Sequence, residues 1–249
     1  MNLAADLLFR LYRMREIAGF VLSFSHKYNY YQMHWVYYFG RGLIRFLIFF
    51  FANWKVKGKE NLPMQGPLLV VCNHNHIADA PIVASSIPRQ SVFMAKEDLW
   101  RNRWSRYWVE NFGSFPVKRE GFNRDAIRRA EHWLQQGTAV IMFPEGKRSP
   151  DGRMIPALPG ATLIASRMNV PILPVAITGS DKLRNLWWCF LHRPRLTVTI
   201  GKPFNLLPAD GKSTREQRQQ MIDYIMRKVA ALLPPEYRGV YAGGENAQD

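Results

Sequence analysis

From Lys55 onward the chain alternates short apolar runs with helix-patterned stretches, and this alternation constrains the fold more than any other feature. The runs cover residues 68–72, 92–95, 114–117, 139–143, 172–178 and 196–200. Nearly continuous apolar strands of this kind are buried on both faces, as in parallel sheets covered by helices. Helical patterns fill the intervals at about 80–86, 124–136, 161–168 and 214–233. Pro81 suits a first helical turn, and Gly137 suits a helix stop. The pattern predicts an α/β domain over residues 55–233, with a mostly parallel central sheet flanked by helices. A chain of 249 residues is long enough to bury such a core. There is no internal repeat. The Gly-rich, polar stretch 234–249 reads as a flexible C-terminal tail.

Residues 1–54 have a different character. Leu, Phe, Tyr and Trp are dense there, interrupted by Arg10, Arg13, Arg15, Lys27, Arg41 and Arg45. No charge-free run reaches the ~18–20 residues that span a bilayer. Two helices are expected, over 3–24 and 32–53, forming an amphipathic membrane-associating segment. Arg41 and Arg45, four apart, would hold their guanidinium groups at headgroup level while Phe and Leu enter the acyl layer. The competing reading is a pair of helices packed on the globular domain. The net charge of 34 − 19 = +15 attracts nucleic acid, anionic lipid or phosphorylated substrates alike. Aromatic residues at 13%, with eight Trp, favour a lipid interface among these. Cys72 and Cys189 have no metal-ligand spacing and read as reduced core thiols.

Sites in open α/β sheets gather at the carboxyl ends of the strands. Two unusual segments fall there: Asn73-His74-Asn75-His76-Ile77-Ala78-Asp79, and Pro144-Glu145-Gly146-Lys147-Arg148-Ser149. Parallel strands would bring both to one edge. An imidazole takes a proton from a hydroxyl at neutral pH, and does so best when a carboxylate holds its other nitrogen. Five residues across a strand-to-helix turn let Asp79 fold back to His74. Read separately, Asp79 is also a helix N-cap and His74 a hydrogen-bonded loop histidine. The pair His74 and His76 suggests a metal as well. The His-x-His-x-Asp-His pattern of metallohydrolases, however, has Ala78 and Asp79 in its last two places here, and no metal is expected.

Four blocks occur in order: His74-x4-Asp79, Gly113-Ser-Phe-Pro-Val-Lys-Arg119, Phe143-Pro-Glu-Gly-Lys-Arg-Ser149 and Leu173-Pro-Val-Ala-Ile177. Together, over residues 55 to 205, the arrangement resembles the glycerolipid acyltransferases, in particular the 1-acylglycerol-3-phosphate acyltransferases. The resemblance implies catalytic roles for His74 and Asp79 and puts Gly113, Arg119, Glu145 and Gly146 in its motif blocks; with Lys96 and Arg148, cations that a phosphate on the acceptor would need, these make the expected substrate-binding set. It implies an acyl donor, acyl-CoA or acyl carrier protein, with no other cofactor. The expected acceptor is a lysophospholipid at the cytoplasmic face of a membrane, most simply 1-acylglycerol-3-phosphate. Arg119 and Arg148 offer planar forks to a phosphate and Lys96 a point charge. Glu145 would order its turn or hold an acceptor hydroxyl. Backbone N–H groups near Gly146 are candidates for the oxyanion. The chain departs from the family pattern at His76 (often Ser), Lys147 (often Thr) and Leu158-Pro159 (where a Lys is common). These departures spare the base and its partner and leave the acceptor open, another lysolipid or a glycolipid included. Two readings of other classes stand beside this one. The first is a nucleic-acid-binding protein or HNH-type nuclease, suggested by the charge and His74-Asn75-His76. The second is a non-enzymatic membrane scaffold.

Overall fold

The anticipated apolar runs become strands of one sheet in the structure, a computed structural model that describes residues 35–117, 124–183, 185–206 and 214–243. Residues 1–34 lie outside the described residues. The helix expected over 3–24 falls there, and Arg119 too lies outside the described residues. The strands are β1 (Asn53–Lys57), β2 (Leu68–Cys72), β3 (Ser91–Lys96), β4 (Ser114–Val117), β5 (Ala139–Met142), β6 (Ile172–Thr178) and β7 (Arg195–Ile200). Their spatial order is β1-β7-β6-β2-β5-β3-β4. Every pairing is parallel except that of β6 with β7.

That single antiparallel pairing has a topological consequence. Thr178, at the carboxyl end of β6, pairs with Thr197 near the start of β7. Arg195 in turn pairs with Asn53. The amino ends of β1 and β7 therefore reach the same edge at which β2, β3, β4, β5 and β6 finish.

The helices are α1 (Trp35–Phe51), α2 (Asp79–Ser86), α3 (Arg103–Asn111), α4 (Arg124–Gln135), α5 (Gly160–Met168), α6 (Leu186–His192) and α7 (Arg215–Ala230). All five residues of β2 are buried. Leu68, Val70 and Cys72 join a core cluster with Ile48 and Ala52 from the α1 region and Ala80 and Val83 of α2. Side chains alternate along a strand, so Leu69 and Val71 serve the opposite layer. Helices α4, α5 and α7 pack against one another and the sheet to make that layer. α7 opens with a capping box, in which Gln217 N–H donates to the Thr214 hydroxyl and Thr214 N–H to the Gln217 side chain.

Two expectations need correction. Arg41 and Arg45 do not reach outward to headgroups. Arg41, 9% exposed, donates to the carbonyls of Ile87 and Arg89, and Arg45 Nε donates to Ser85 O at 2.9 Å. These carbonyls belong to the end of α2 and the turn after it, where backbone acceptors lack helical partners and the helix dipole is negative. Burial, and secondarily the Arg41 charge, hold the Arg45 pKa below its ordinary value. The outward face of α1 instead presents Trp35, Phe39, Phe46 and Phe49, all exposed. Among the described residues no helix is long and apolar enough to cross a membrane.

The second correction concerns the tail. Residues 234–243 are folded, with 3-10 turns at Pro235–Tyr237 and Gly239–Tyr241. Met154 N–H donates to Tyr237 O and Val240 N–H to Met154 O, which staples this segment to the loop after β5. Tyr241, 8% exposed, accepts from Ala157 N–H at 3.0 Å and donates to Asp223 Oδ1. A buried aromatic ring with a satisfied hydroxyl orders a segment that composition alone marks as loose.

Candidate active site

Asn73 begins the site. It follows β2 directly, is fully buried, and donates through Nδ2 to Ile177 O at 2.9 Å while accepting from Ile177 N–H at 2.8 Å. An amide side chain thus extends the ladder between β2 and β6 by one rung and fixes where the next residue leaves the sheet. The sequence holds a signal for it, an Asn at the last buried position before the histidine, but it was not among the expected site residues.

His74 is the next residue. Its Nδ1 lies 2.9 Å from Asp79 Oδ2. The same Oδ2 accepts from Asn75 N–H at 2.6 Å and His76 N–H at 2.7 Å. Asp79 is the first residue of α2, but its carboxylate folds back over the turn and does not cap that helix. With three donors converging on one oxygen, the carboxylate is the acceptor, so the network assigns the ring proton to Nδ1. Asp79 Oδ1 is buried and has no hydrogen-bond partner among the described residues. The carboxylate is wholly buried and the imidazole side chain 17% exposed, so Nε2 remains as the nitrogen for chemistry. The Phe143 ring packs on the imidazole with centroids 4.4 Å apart.

Glu145 joins this turn to the one after β5. Its Oε1 accepts from His74 N–H at 3.0 Å and its Oε2 from Ile155 N–H at 3.1 Å. Ser149 N–H returns to His74 O at 2.8 Å. Glu145 is 3% exposed, and burial pushes its carboxyl up to about 7 against the pull of those two amides. Gly146 turns the chain with φ +69, and an added Cβ would sit 3.0 Å from Leu158 Cδ1. Its own N–H is spent on Phe143 O at 3.0 Å, which removes it as an oxyanion donor.

The expected cations divide. Arg148 stands exposed beside the turn and makes no ion pair with a described residue. Lys96 ends β3 at the same edge, but its ammonium contacts the Asp98 carboxylate, which partly neutralises it. Gly113 is not brought to the site. It closes the α3 turn at φ +81 and precedes β4, placing it at the amino end of the sheet, about 13 Å of strand away from the edge in question. Its role there is a helix stop that L side chains rarely allow. His76 Nδ1 accepts from Ala78 N–H within its own turn. Among the described residues no group of three or more His, Cys, Asp or Glu is arranged to hold a metal.

The arrangement can deprotonate a hydroxyl presented to Nε2 and stabilise the imidazolium that results. Comparison with known proteins bears on what that hydroxyl belongs to. A family model described as Acyltransferase matches residues 53–178. A 1-acyl-sn-glycerol-3-phosphate acyltransferase of Bacillus subtilis (strain 168) is 27% identical, over 72% of this chain and 87% of its own length. One from Streptococcus pneumoniae (strain ATCC BAA-255 / R6) is 30% identical over 67% of this chain, which spans 61% of that relative. The crystal structure of the 1-acyl-sn-glycerophosphate (LPA) acyltransferase PlsC from Thermotoga maritima superposes with a TM-score of 0.59, at 27% identity, covering 87% of this chain and 88% of that one.

Proposed function

The chain belongs to the acyltransferase family, and we propose that it moves a fatty acyl group from acyl-CoA or acyl carrier protein onto the free hydroxyl of a lysophospholipid, most simply 1-acylglycerol-3-phosphate, giving phosphatidic acid. The observation that carries this reading is the His74–Asp79 pair, 2.9 Å apart with its carboxylate buried, beside the Glu145 turn at one sheet edge. His74 Nε2 takes the hydroxyl proton as the oxygen attacks the thioester carbonyl. The tetrahedral intermediate collapses with cleavage of the C–S bond, and the departing thiolate takes the proton back from the imidazolium. Asp79 stabilises that cation and holds its orientation. The thioester is already activated, so the chain's residues need supply only base, orientation and charge stabilisation.

Arg148, with Arg119, is the cationic cradle for the acceptor phosphate in this reading, since guanidinium forks match phosphate oxygens. The names of the similar proteins support a phosphate-bearing acceptor. We further assign residues 1–54 to the membrane surface at its cytoplasmic face. Support for this is the exposed aromatic face of α1, with Phe46 at 58% and Phe49 at 59%.

A thiol-release assay with acyl-CoA tests the reading, run side by side on lysophosphatidate and on monoacylglycerol. The expected result is turnover that requires His74 and prefers the phosphorylated acceptor. Near-normal turnover by His74→Ala would remove the mechanism, and equal use of both acceptors would remove the phosphate cradle.

A further inference from the structure

Anchoring through residues 1–54 leaves unexplained a second apolar surface far along the chain. Helix α6 (sequence Leu-Trp-Trp-Cys-Phe-Leu-His) turns Cys189 into the core and stacks Trp188 on His192, with centroids 4.5 Å apart. Its other side shows Trp187 at 79%, Leu191 at 74% and Phe190 at 51% exposure. Large apolar side chains bunched in the open mark an interaction surface.

Three observations say what covers it. The first is adjacency to α1. The Phe51 and Phe190 rings lie 6.2 Å apart, and Arg193 Nη2 donates to Phe49 O at 2.7 Å, so α6 adjoins the end of the helix whose aromatic face is exposed. The second is position. Phe51 lies two residues before Asn53, the first of β1, and His192 three before Arg195, the first of β7, and Asn53 pairs with Arg195 at the sheet edge that carries His74. Both apolar elements therefore lie on the side of the molecule where substrate is met. The third is charge. Residues 182–195 contain Lys182, Arg184, Arg193 and Arg195 and no Asp or Glu. An aromatic patch flanked by cations fits an anionic phospholipid surface, where Trp takes the headgroup zone and each nearby basic residue adds attraction.

We propose that α6 is a second membrane-contacting element, which with the outward face of α1 seats the catalytic edge of the sheet on an anionic bilayer. The proposal rests on the reading of this chain as an acyltransferase of membrane lipids, and assigns to residues near 190 a role that reading leaves to the N-terminal segment.

The test uses the full chain and sedimentation with phosphatidylcholine vesicles, with and without phosphatidylglycerol. Trp187→Ser with Leu191→Ser should lower the partition coefficient by roughly tenfold or more, since burying one such side chain is worth that much. Acylation of vesicle-borne lysophosphatidate should fall in parallel, while turnover of a short-chain monomeric lysophosphatidate stays at the wild-type value. Phe46→Ser with Phe49→Ser is the companion variant. If it loses vesicle binding and the α6 variant does not, the α6 proposal fails while anchoring through α1 stands. Unchanged binding by both variants sinks both. A change in oligomeric state by light scattering with vesicle binding intact would make the patch a contact between copies. A lowered Tm with binding intact would make it a seat for residues 1–34. Either result overturns the proposal. A second measurement avoids any folding defect of the serine variant. Cys72 and Cys189 are buried, so an environment-sensitive thiol dye on Leu191→Cys labels that position alone. Its emission should shift to the blue on anionic vesicles, and an unshifted spectrum contradicts membrane contact.

Discussion

His74 N–H donates to Glu145 Oε1 at 3.0 Å, so the turn that carries the base and the turn that follows β5 are joined through a buried carboxylate. The second oxygen of Glu145 holds Ile155 N–H. With one backbone amide on each oxygen, Glu145 positions the His74 turn.

Glu145 gives a pH prediction with a definite sign. Its carboxyl is raised from 4.5 to about 7, chiefly by burial. Between those values the folded chain holds a proton that the unfolded chain has released, so stability falls as pH rises through this window and is constant in this respect above about 7. The full effect is about 3 kcal/mol at 1.36 kcal/mol per pKa unit. Glu145→Gln does not titrate. The stability difference between wild type and Glu145→Gln, followed by urea unfolding from pH 4.5 to 7.5, should shift steadily against the wild type. A difference that does not vary with pH would contradict a buried, protonatable carboxyl.

The sequence discloses some parts of this structure and conceals others. β2, β5 and β6 were legible because their runs are apolar on both faces, and the segments after β2 and β5 followed at once to the correct edge. β1 was not, because Trp54 and Val56 are only half-buried between exposed Asn53, Lys55 and Lys57. α6 escaped because Leu186-Trp-Trp-Cys-Phe-Leu-His192 is apolar all round and has no helical period to read. The inward turn of Arg41 and Arg45 was hidden for a different reason. An i,i+4 arginine pair looks the same whether it meets lipid headgroups or the carbonyl end of a helix supplied 40 residues later. Gly113 was misplaced because its block resembles a binding motif, while its position at the start of β4 puts it at the wrong end of the strand.

Asp79 offers a separation of charge from geometry. Among the described residues Oδ2 takes three donors while Oδ1 has none. Asp79→Asn can therefore keep its carbonyl oxygen where Oδ2 sits and place the amide nitrogen where Oδ1 sits, preserving the tautomer of His74 while burying an amide NH2 with no acceptor there, at about 1–3 kcal/mol. What the site loses for catalysis is the negative charge facing the imidazolium. The expected outcome is a loss of roughly 10²–10⁴ in kcat with KM little changed. Asp79→Ala, which orphans three donors, should in addition destabilise the fold by roughly 3 kcal/mol or more. Thiol release and urea unfolding measure the two effects, and equal destabilisation by both substitutions would contradict the single-oxygen arrangement.

The folded C-terminal segment predicts that truncation reaches the active site. Tyr241 holds Ala157 N–H, and Tyr237 and Val240 hold Met154, on the loop that supplies Ile155 to Glu145. Tyr241→Phe removes one hydroxyl that accepts from Ala157 and donates to Asp223, and should cost about 1–3 kcal/mol. Ending the chain at Leu233 should lower kcat several-fold, while removing only residues 244–249 leaves it unchanged. Full activity in the shorter form would return residues 234–243 to the status of a dispensable tail.

Arg41 provides the last prediction, which concerns how α1 is tied to the helix that begins with Asp79. Arg41 and Arg45 together occupy the carbonyls of Ser85, Ile87 and Arg89. Those groups terminate α2, whose first residue is the carboxylate partner of the base. Arg41→Met keeps the apolar stem and removes the donors to two buried carbonyls, at roughly 1–3 kcal/mol each. A stability loss of about 2–4 kcal/mol is expected by urea unfolding. Arg41→Lys should recover part of it, because an ammonium still reaches one carbonyl but cannot fork across two. If the two guanidinium groups served lipid headgroups instead, Arg41→Met would leave stability in detergent-free solution untouched and weaken vesicle binding alone.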